Sequence, residues 1–266
     1  MPNSSIDLVA IGIDLAWSAR NDTGIAALRW SESDRAAHLI DCRLARTDED
    51  ILTAVKSVDY PNIVVAIDAP TVVPNREGRR PADSKISAAF RRFHAGAYPA
   101  NRRLLATHQG EQVRGEVIAR RLESELQIIH RAEINPRAAI RQCFEAFPHP
   151  AMVVLFQLER TLPYKARVAR SLADRLTAFA EYHRLIRDQL TALEPAVQIT
   201  DSFVTLLADL PRTPAALKRH EDQLDALLCA YIALYYWYWG AERCYIFGNF
   251  HEGYTVTPVD DRIAKL

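Results

Sequence analysis

Two apolar runs end in an aspartate: Leu8-Val9-Ala10-Ile11-Gly12-Ile13-Asp14 and Ile63-Val64-Val65-Ala66-Ile67-Asp68, the second followed by Ala69-Pro70. A buried strand that delivers a carboxylate at its C-terminal end is how open α/β sheets build a binding crevice. Two such ends on neighbouring strands put two acids in one place. Three further acids stand out by context. Glu145 lies in the short apolar stretch Gln142 to Phe147. Asp222 and Asp225 are three residues apart, and so on one face, near the start of an otherwise apolar helix. Converging carboxylates repel one another and hold protons more tightly unless a divalent cation neutralises them. Mg²⁺ and Mn²⁺ prefer such oxygen ligands and can activate water for phosphodiester hydrolysis. Asp14, Asp68 and Asp225 are therefore candidate ligands for Mg²⁺ or Mn²⁺, and all five acids are candidate catalytic residues. Four of the five have a plainer alternative: a turn or cap for Asp14 and Asp68, an exposed strand position for Glu145, a first-turn acid for Asp222.

The elements that must position these acids are legible from periodicity. Leu8 to Asp14, Thr23 to Trp30 and Ala37 to Leu44 read as three strands whose short connections make them antiparallel neighbours. Thr47 then caps a helix with acids in its first turn and Ile51, Leu52 and Val55 on one face. Ile63 to Ile67 returns as a fourth strand, parallel to the first through a helical crossover. Residues 71–110 break the pattern with Pro, Gly, Arg and aromatic residues, and form a basic insertion within a single domain spanning 1–266. Gln112 to His130 reads as a helix, and Gln142 to Phe147 as a short strand stopped by Pro148 and Pro150. Ala169 to Leu193 is helical. Pro214 opens a last helix running to Tyr238, and Arg243 to Phe247 with Tyr254 to Val256 form a final pair of edge strands.

Composition narrows the function classes. Lys plus Arg and Asp plus Glu each total 33, so no global field argues for nucleic-acid or membrane binding. The one basic concentration runs from Arg76 to Arg103. The apolar stretch Ala226 to Trp239 is shorter than a membrane span and rich in Tyr, and the first seven residues lack a secretory pattern. Four scattered cysteines without a CxxC pair fit reduced thiols in a cytoplasmic protein. The histidines, His108 and His130 among them, have no ligand spacing. Tyr231, Tyr235, Tyr236, Trp237, Tyr238 and Trp239 could stack bases, but their helical spacing favours core or a subunit interface. No Walker loop, GxGxxG or GxSxG motif occurs.

Four motifs in series carry a resemblance. Gly12-Ile13-Asp14-Leu15-Ala16-Trp17 with Thr23-Gly24-Ile25-Ala26, then Ala66-Ile67-Asp68-Ala69-Pro70, Glu145-Ala146-Phe147-Pro148, and Asp222-Gln223-Leu224-Asp225-Ala226, together resemble domain-of-unknown-function family 429. That family is described as predicted nucleases of ribonuclease H-like fold. The resemblance implies an α/β architecture, a ribonuclease H-like mixed sheet flanked by helices, with an insertion after the fourth strand. It implies a metal-dependent nuclease or phosphodiesterase whose substrate is nucleic acid or a small phosphorylated nucleotide. Ribonuclease H itself takes one acid from its first helix, where this chain has no isolated buried Glu; Glu145 substitutes from another strand. Arg80, Asp83 and Lys165 correspond to the family's other polar positions and are candidate substrate-binding residues. The alternatives are a non-catalytic ligand-binding module and an ATP-dependent phosphotransferase on the same fold. The turn from Ser18 to Gly24 has little of the Gly density a phosphate-binding hairpin needs.

Overall fold

The computed structural model describes residues 6–18, 20–58, 60–106 and 112–263. The N-terminal Met1 to Ser5, the end of the insertion and His108 lie outside the described residues.

Apolar side chains on both faces of the first run make β1 (Leu8–Asp14) a central strand. β2 (Thr23–Ser31) and β3 (Ala36–Ala45) follow as an antiparallel meander. Thr47 caps α1 (Asp48–Ser57), its hydroxyl accepting from the Asp50 backbone N–H while the Asp50 carboxylate accepts from Thr47 N. This helix crosses over to β4 (Ile63–Asp68), parallel to β1. The insertion holds α2 (Pro81–Phe90), a 3-10 turn at Arg91–Phe93 and the short α3 (Arg102–Leu105). Then come α4 (Arg114–Leu126), β5 (Ile129–His130) and β6 (Arg141–Glu145). α5 (Pro148–Leu155), α6 (Leu172–Ala192), β7 (Ala196–Val197) and α7 (Asp201–Leu206) lead to the long α8 (Pro214–Trp239). β8 (Cys244–Asn249) and β9 (Gly253–Pro258) end the chain.

The seven-stranded sheet has the order β5-β6-β4-β1-β2-β3-β7. It is mixed: β1, β2 and β3 are antiparallel, while β4, β6 and β5 continue in parallel beyond β1. The α/β class and this strand order agree with the ribonuclease H-like arrangement. Leu8, Ala10, Ala26, Leu28, Val64 and Ala66 face α8, and Val9, Ile11, Ile13 and Val65 face α1 and α4. Two-sided burial is why these strands read as continuous apolar runs rather than alternating ones. No helix among the described residues is long and apolar enough to cross a membrane.

Four elements depart from the expectation. Pro148 and Pro150 do not merely stop a strand; they occupy the first turn of α5, where a missing N–H and a fixed φ do no harm. The insertion is largely ordered around α2, which Pro81 opens and Asp83 caps by accepting from Arg80 N. The helix expected over Gln112 to His130 ends at Leu126, where Gln127 turns left-handed at φ 58° and frees Ile129–His130 to pair with β6. The last two strands pair with each other as a separate ribbon, tied to the main sheet by one bridge, Ala146 to Val256.

Two glycines let α8 lie directly on the sheet. A Cβ on Gly12 would sit 2.0 Å from the Ala226 carbonyl oxygen and 2.1 Å from Ala230 N, and one on Gly24 would sit 1.9 Å from the Asp222 carbonyl oxygen. Backbone cannot yield as a flexible side chain can. Gly12→Ala should therefore lift the helix and destabilise the protein by about 3 kcal/mol, the upper range for overpacking. A urea midpoint unchanged from wild type would contradict this contact.

α8 also meets α6 through two buried histidines, His183 and His220, whose Nε2 atoms are 2.6 Å apart. Burial pushes His220 down to about 4 and lowers His183, so the folded state holds both neutral. The unfolded chain takes up their protons near pH 6.5, ahead of the folded one. Stability from this pair is thus full above pH 6.5 and lost as pH falls toward about 4, on the order of a few kcal/mol. The melting temperature should fall between pH 7 and pH 4.5, and His220→Gln should shrink that slope. A flat profile in the wild type would show that the pair is not buried neutral.

Candidate functional site

A cavity of about 780 Å³ opens at the C-terminal ends of β1 and β4, between α8 and the insertion. Its floor is set by strand register. Asp14 pairs with Asp68 across the parallel β1 and β4, so both carboxylates leave the sheet side by side on the face covered by α8. On the other side Asp14 pairs with Gly24, whose missing side chain lets the first turns of α8 approach. The same lack of a Cβ brings Asp222 to Asp14. Burial raises the proton affinity of both carboxyls.

The charge balance is unequal. Burial pushes the Asp14 carboxyl well above the usual carboxylate range; Lys165 opposes this, and Asp225, Asp68 and Asp222 add to it. Burial likewise pushes Asp68 up to about 7. Asp222 pairs with Lys218 at 2.5 Å, and the same ammonium reaches Glu221 at 2.9 Å from a largely exposed position. Among the described residues neither Asp14 nor Asp68 has an ion-pair partner within 4 Å.

Asp225 has a different environment. It is fully buried, and its Oδ1 accepts from the Tyr164 hydroxyl at 2.8 Å and the Tyr182 hydroxyl at 3.2 Å. Lys165 Nζ lies 2.9 Å from Oδ2. Burial alone would raise this carboxyl, yet Lys165 holds it below its ordinary value. The Lys165 contact is close but poorly aligned, so Oδ2 receives charge without a well-formed hydrogen bond. Lys165 itself is held well above the usual lysine range, against the effect of burial, by Asp225, Asp14 and Asp68. It is a cation among the acids, not a surface lysine.

Glu145 stands apart from the aspartates. Its register partner is Ile67, one residue before Asp68, so pleat alternation sends it toward the opposite side. There the Arg80 guanidinium meets it with two hydrogen bonds, 2.6 and 2.9 Å, while also binding Asp83 and the Val72 carbonyl. Thr71 N and the Thr255 hydroxyl, each at 2.8 Å, complete its partners. Arg80, Asp83 and Glu145 are all buried. The structure therefore brings Asp14, Asp68, Asp222, Asp225 and Lys165 together, and places Arg80, Asp83 and Glu145 in a neighbouring buried network whose edge lines the same cavity. That network braces Thr71, three residues after Asp68.

The donor chemistry fits a hard cation. Among the described residues no three Asp, Glu, His or Cys side chains are placed so that they could hold a metal ion together, the expected set of Asp14, Asp68 and Asp225 included. Mg²⁺ can be bound by only one or two carboxylates plus waters and substrate oxygens. Asp14 and Asp68 offer two adjacent carboxylates with raised proton affinity, and the misaligned Asp225 Oδ2 lies beside them.

Residues not singled out by sequence also line the cavity: Trp17, Tyr98, His149, Arg20 and Arg219. Trp17 lay within a recognised motif, but nothing in its spacing marks it as exposed. The α8 aromatics prove to be core within the chain, with Tyr231, Tyr236 and Trp237 bonding to the carbonyls of Pro195, Ala132 and Ala138.

No curated protein and no solved structure matches the chain. The family model described as "Protein of unknown function (DUF429)" matches residues 12–251, from the β1 motif to beyond the last acid of the site. Because that match takes in nearly all of the fold, the chain belongs to the DUF429 family.

Proposed function

We propose that the protein is a divalent-cation-dependent phosphodiesterase acting on nucleic acid or a small phosphorylated nucleotide. The observation that carries this reading is the in-register pair Asp14 and Asp68, half-buried, without an ion pair of their own among the described residues and open to a large cavity. Asp14 and Asp68 would hold Mg²⁺ or Mn²⁺, which when bound supplies an activated water and neutralises phosphate charge. Lys165, fixed by Asp225, donates to a non-bridging phosphate oxygen. Asp225 is thus a positioning residue, its geometry held by Tyr164 and Tyr182. Asp222, with a proton affinity raised by burial against the opposing effect of Lys218, is placed to take the proton from attacking water. Glu145 fixes the segment that follows Asp68 through Thr71.

The test is incubation of single-stranded and duplex DNA and RNA with Mg²⁺, Mn²⁺ or EDTA, with Asp14→Asn purified identically. Cleavage by the wild type alone, abolished by EDTA, is expected. Equal cleavage by both proteins, or none by either across the panel, would overturn the reading.

A further inference from the structure

Two aromatic rings stand at the rim of the acidic cavity with most of their surface in water: Trp17 is 68% exposed and Tyr98 69%. A single exposed apolar side chain needs no explanation, but two aromatic rings at the rim of one cavity are placed to meet what enters it. These two come from unrelated connections, one between β1 and β2 and the other in the insertion after α2.

Both are displayed from backbone that is pinned. Before Trp17, the Ala16 N–H donates to the Thr23 hydroxyl at 3.2 Å and its carbonyl accepts from the buried Arg114 at 2.8 Å. Around Tyr98, the Ala97 carbonyl accepts from Arg79 and from Ser87, and Ala100 N donates to the buried Asp83 at 2.9 Å. A flexible loop could fold its ring onto apolar surface; these anchored segments hold theirs outward. Ring presentation without backbone rearrangement is what a stacking site requires, because ordering costs are met in folding.

The chemistry beside the rings selects the ligand. Lys165 lies in the cavity wall, and Arg20 and Arg219 stand exposed along it without an ion pair among the described residues. Aromatic faces next to cations that fit a phosphate match a nucleobase joined to its phosphate. A neutral chain has little general field to hold duplex by its backbone alone. Bases in a duplex are moreover already stacked on one another.

We infer that Trp17 and Tyr98 form a stacking platform for an unpaired nucleobase, so that the cavity takes a free nucleotide or a single strand and not the interior of a duplex. This rests on the phosphodiesterase reading only for where the phosphate lies. The ring contacts hold whether or not cleavage follows.

The experiment is calorimetric binding in Ca²⁺, in place of Mg²⁺, for wild type, Trp17→Ala, Trp17→Phe and Tyr98→Ala. The probes are 5′-mononucleotides, ribose 5-phosphate, a single-stranded tetranucleotide and a blunt duplex. Wild type should bind nucleotide at least ~10-fold tighter than ribose 5-phosphate, each alanine variant should lose roughly 5- to 100-fold on nucleotide, and Trp17→Phe should keep most of the affinity. Ribose 5-phosphate binding should not change in any variant. A tetranucleotide that binds more tightly than the mononucleotide assigns the strand as ligand, and equal binding assigns the free nucleotide; both support the platform. Alanine variants that bind like wild type, a wild type indifferent to the base or without affinity for nucleotide, or duplex bound as tightly as single strand, would overturn it. Base-dependent binding without any Mg²⁺-dependent cleavage would remove the phosphodiesterase and leave the platform; cleavage indifferent to both rings would do the reverse.

Discussion

Asp14→Asn is expected to lower Mg²⁺-dependent phosphodiester cleavage by at least ~10³-fold and to raise the melting temperature of the cation-free protein by several degrees. The two effects have one cause. In the unfolded chain Asp14 is ionised at pH 7, whereas in the folded site its carboxyl lies well above the usual range because it is buried among Asp225, Asp68 and Asp222. Folding must then either bury the charge or bind a proton, and each opposes folding at that pH. A group with a raised folded pKa stabilises only below its unfolded value, near 4, and that contribution is lost as pH rises through the folded value. Asparagine has the same shape and never ionises. The gain should be about 2 kcal/mol at pH 7 and should vanish near pH 4. It should also be absent when Mg²⁺ saturates the wild type, because a ligand that binds only the folded state restores the deficit. Thermal melts of both proteins at pH 4 and 7, with and without Mg²⁺, check all of this beside the cleavage assay. A variant less stable than wild type at pH 7 would make Asp14 a structural residue.

Arg80→Met is expected to have the largest effect on stability, a loss of about 3–5 kcal/mol. The guanidinium is 2% exposed and donates to Asp83, Glu145 and the Val72 carbonyl, so removing it leaves two buried carboxylates with their charge uncompensated. Lysine should rescue little. One ammonium cannot reproduce the planar fork that engages Asp83 through Nε and Nη2 while engaging Glu145 through Nη1 and Nη2. Glu145→Gln in the Arg80→Met background should recover part of the loss, because it removes one of the stranded charges. Urea unfolding of the two single variants and the double variant measures that coupling. Cleavage in Arg80→Met should fall only with the folded fraction. A fully folded Arg80→Met protein that has lost activity would instead return Arg80 to the substrate, as its sequence context suggested.

That contrast shows where sequence reading stopped. Arg80 and Lys165 are both cations in polar segments, and chain order alone gave both the same expected role. Arg80 is held in a buried ion-pair network because β6 carries Glu145 into its reach, 65 positions away. Lys165 faces the cavity because Asp225, 60 positions on, holds it there. Neither partner can be read from local pattern. The acids were easier: Asp14 and Asp68 end unmistakable strands, and the i, i+3 spacing of Asp222 and Asp225 survives any detail of the fold.

The departures in local structure share one physical origin. Pro148 and Pro150 mark a boundary in any context, but whether a boundary is a stop or a helix start depends on what the next turn packs against. Here Met152, Val153 and Leu155 are buried, and that packing makes it a helix. The insertion looked irregular because its organising interaction, the Arg80 network, spans α2, β6 and β9 rather than neighbours in the chain. The contact between His183 and His220, which α6 and α8 bring together in the core, has the same origin.

What the sequence by itself determined was the central sheet, its crossover and the strand-end and helix acids, because hydrophobic periodicity and turn chemistry are local and strong. Only the tertiary structure decided which acids share a cavity, which are neutralised, and which aromatics stay in water. Those outcomes depend on register, on the close approach of α8 over Gly12 and Gly24, and on charges that meet across distances in the chain where periodicity carries no information.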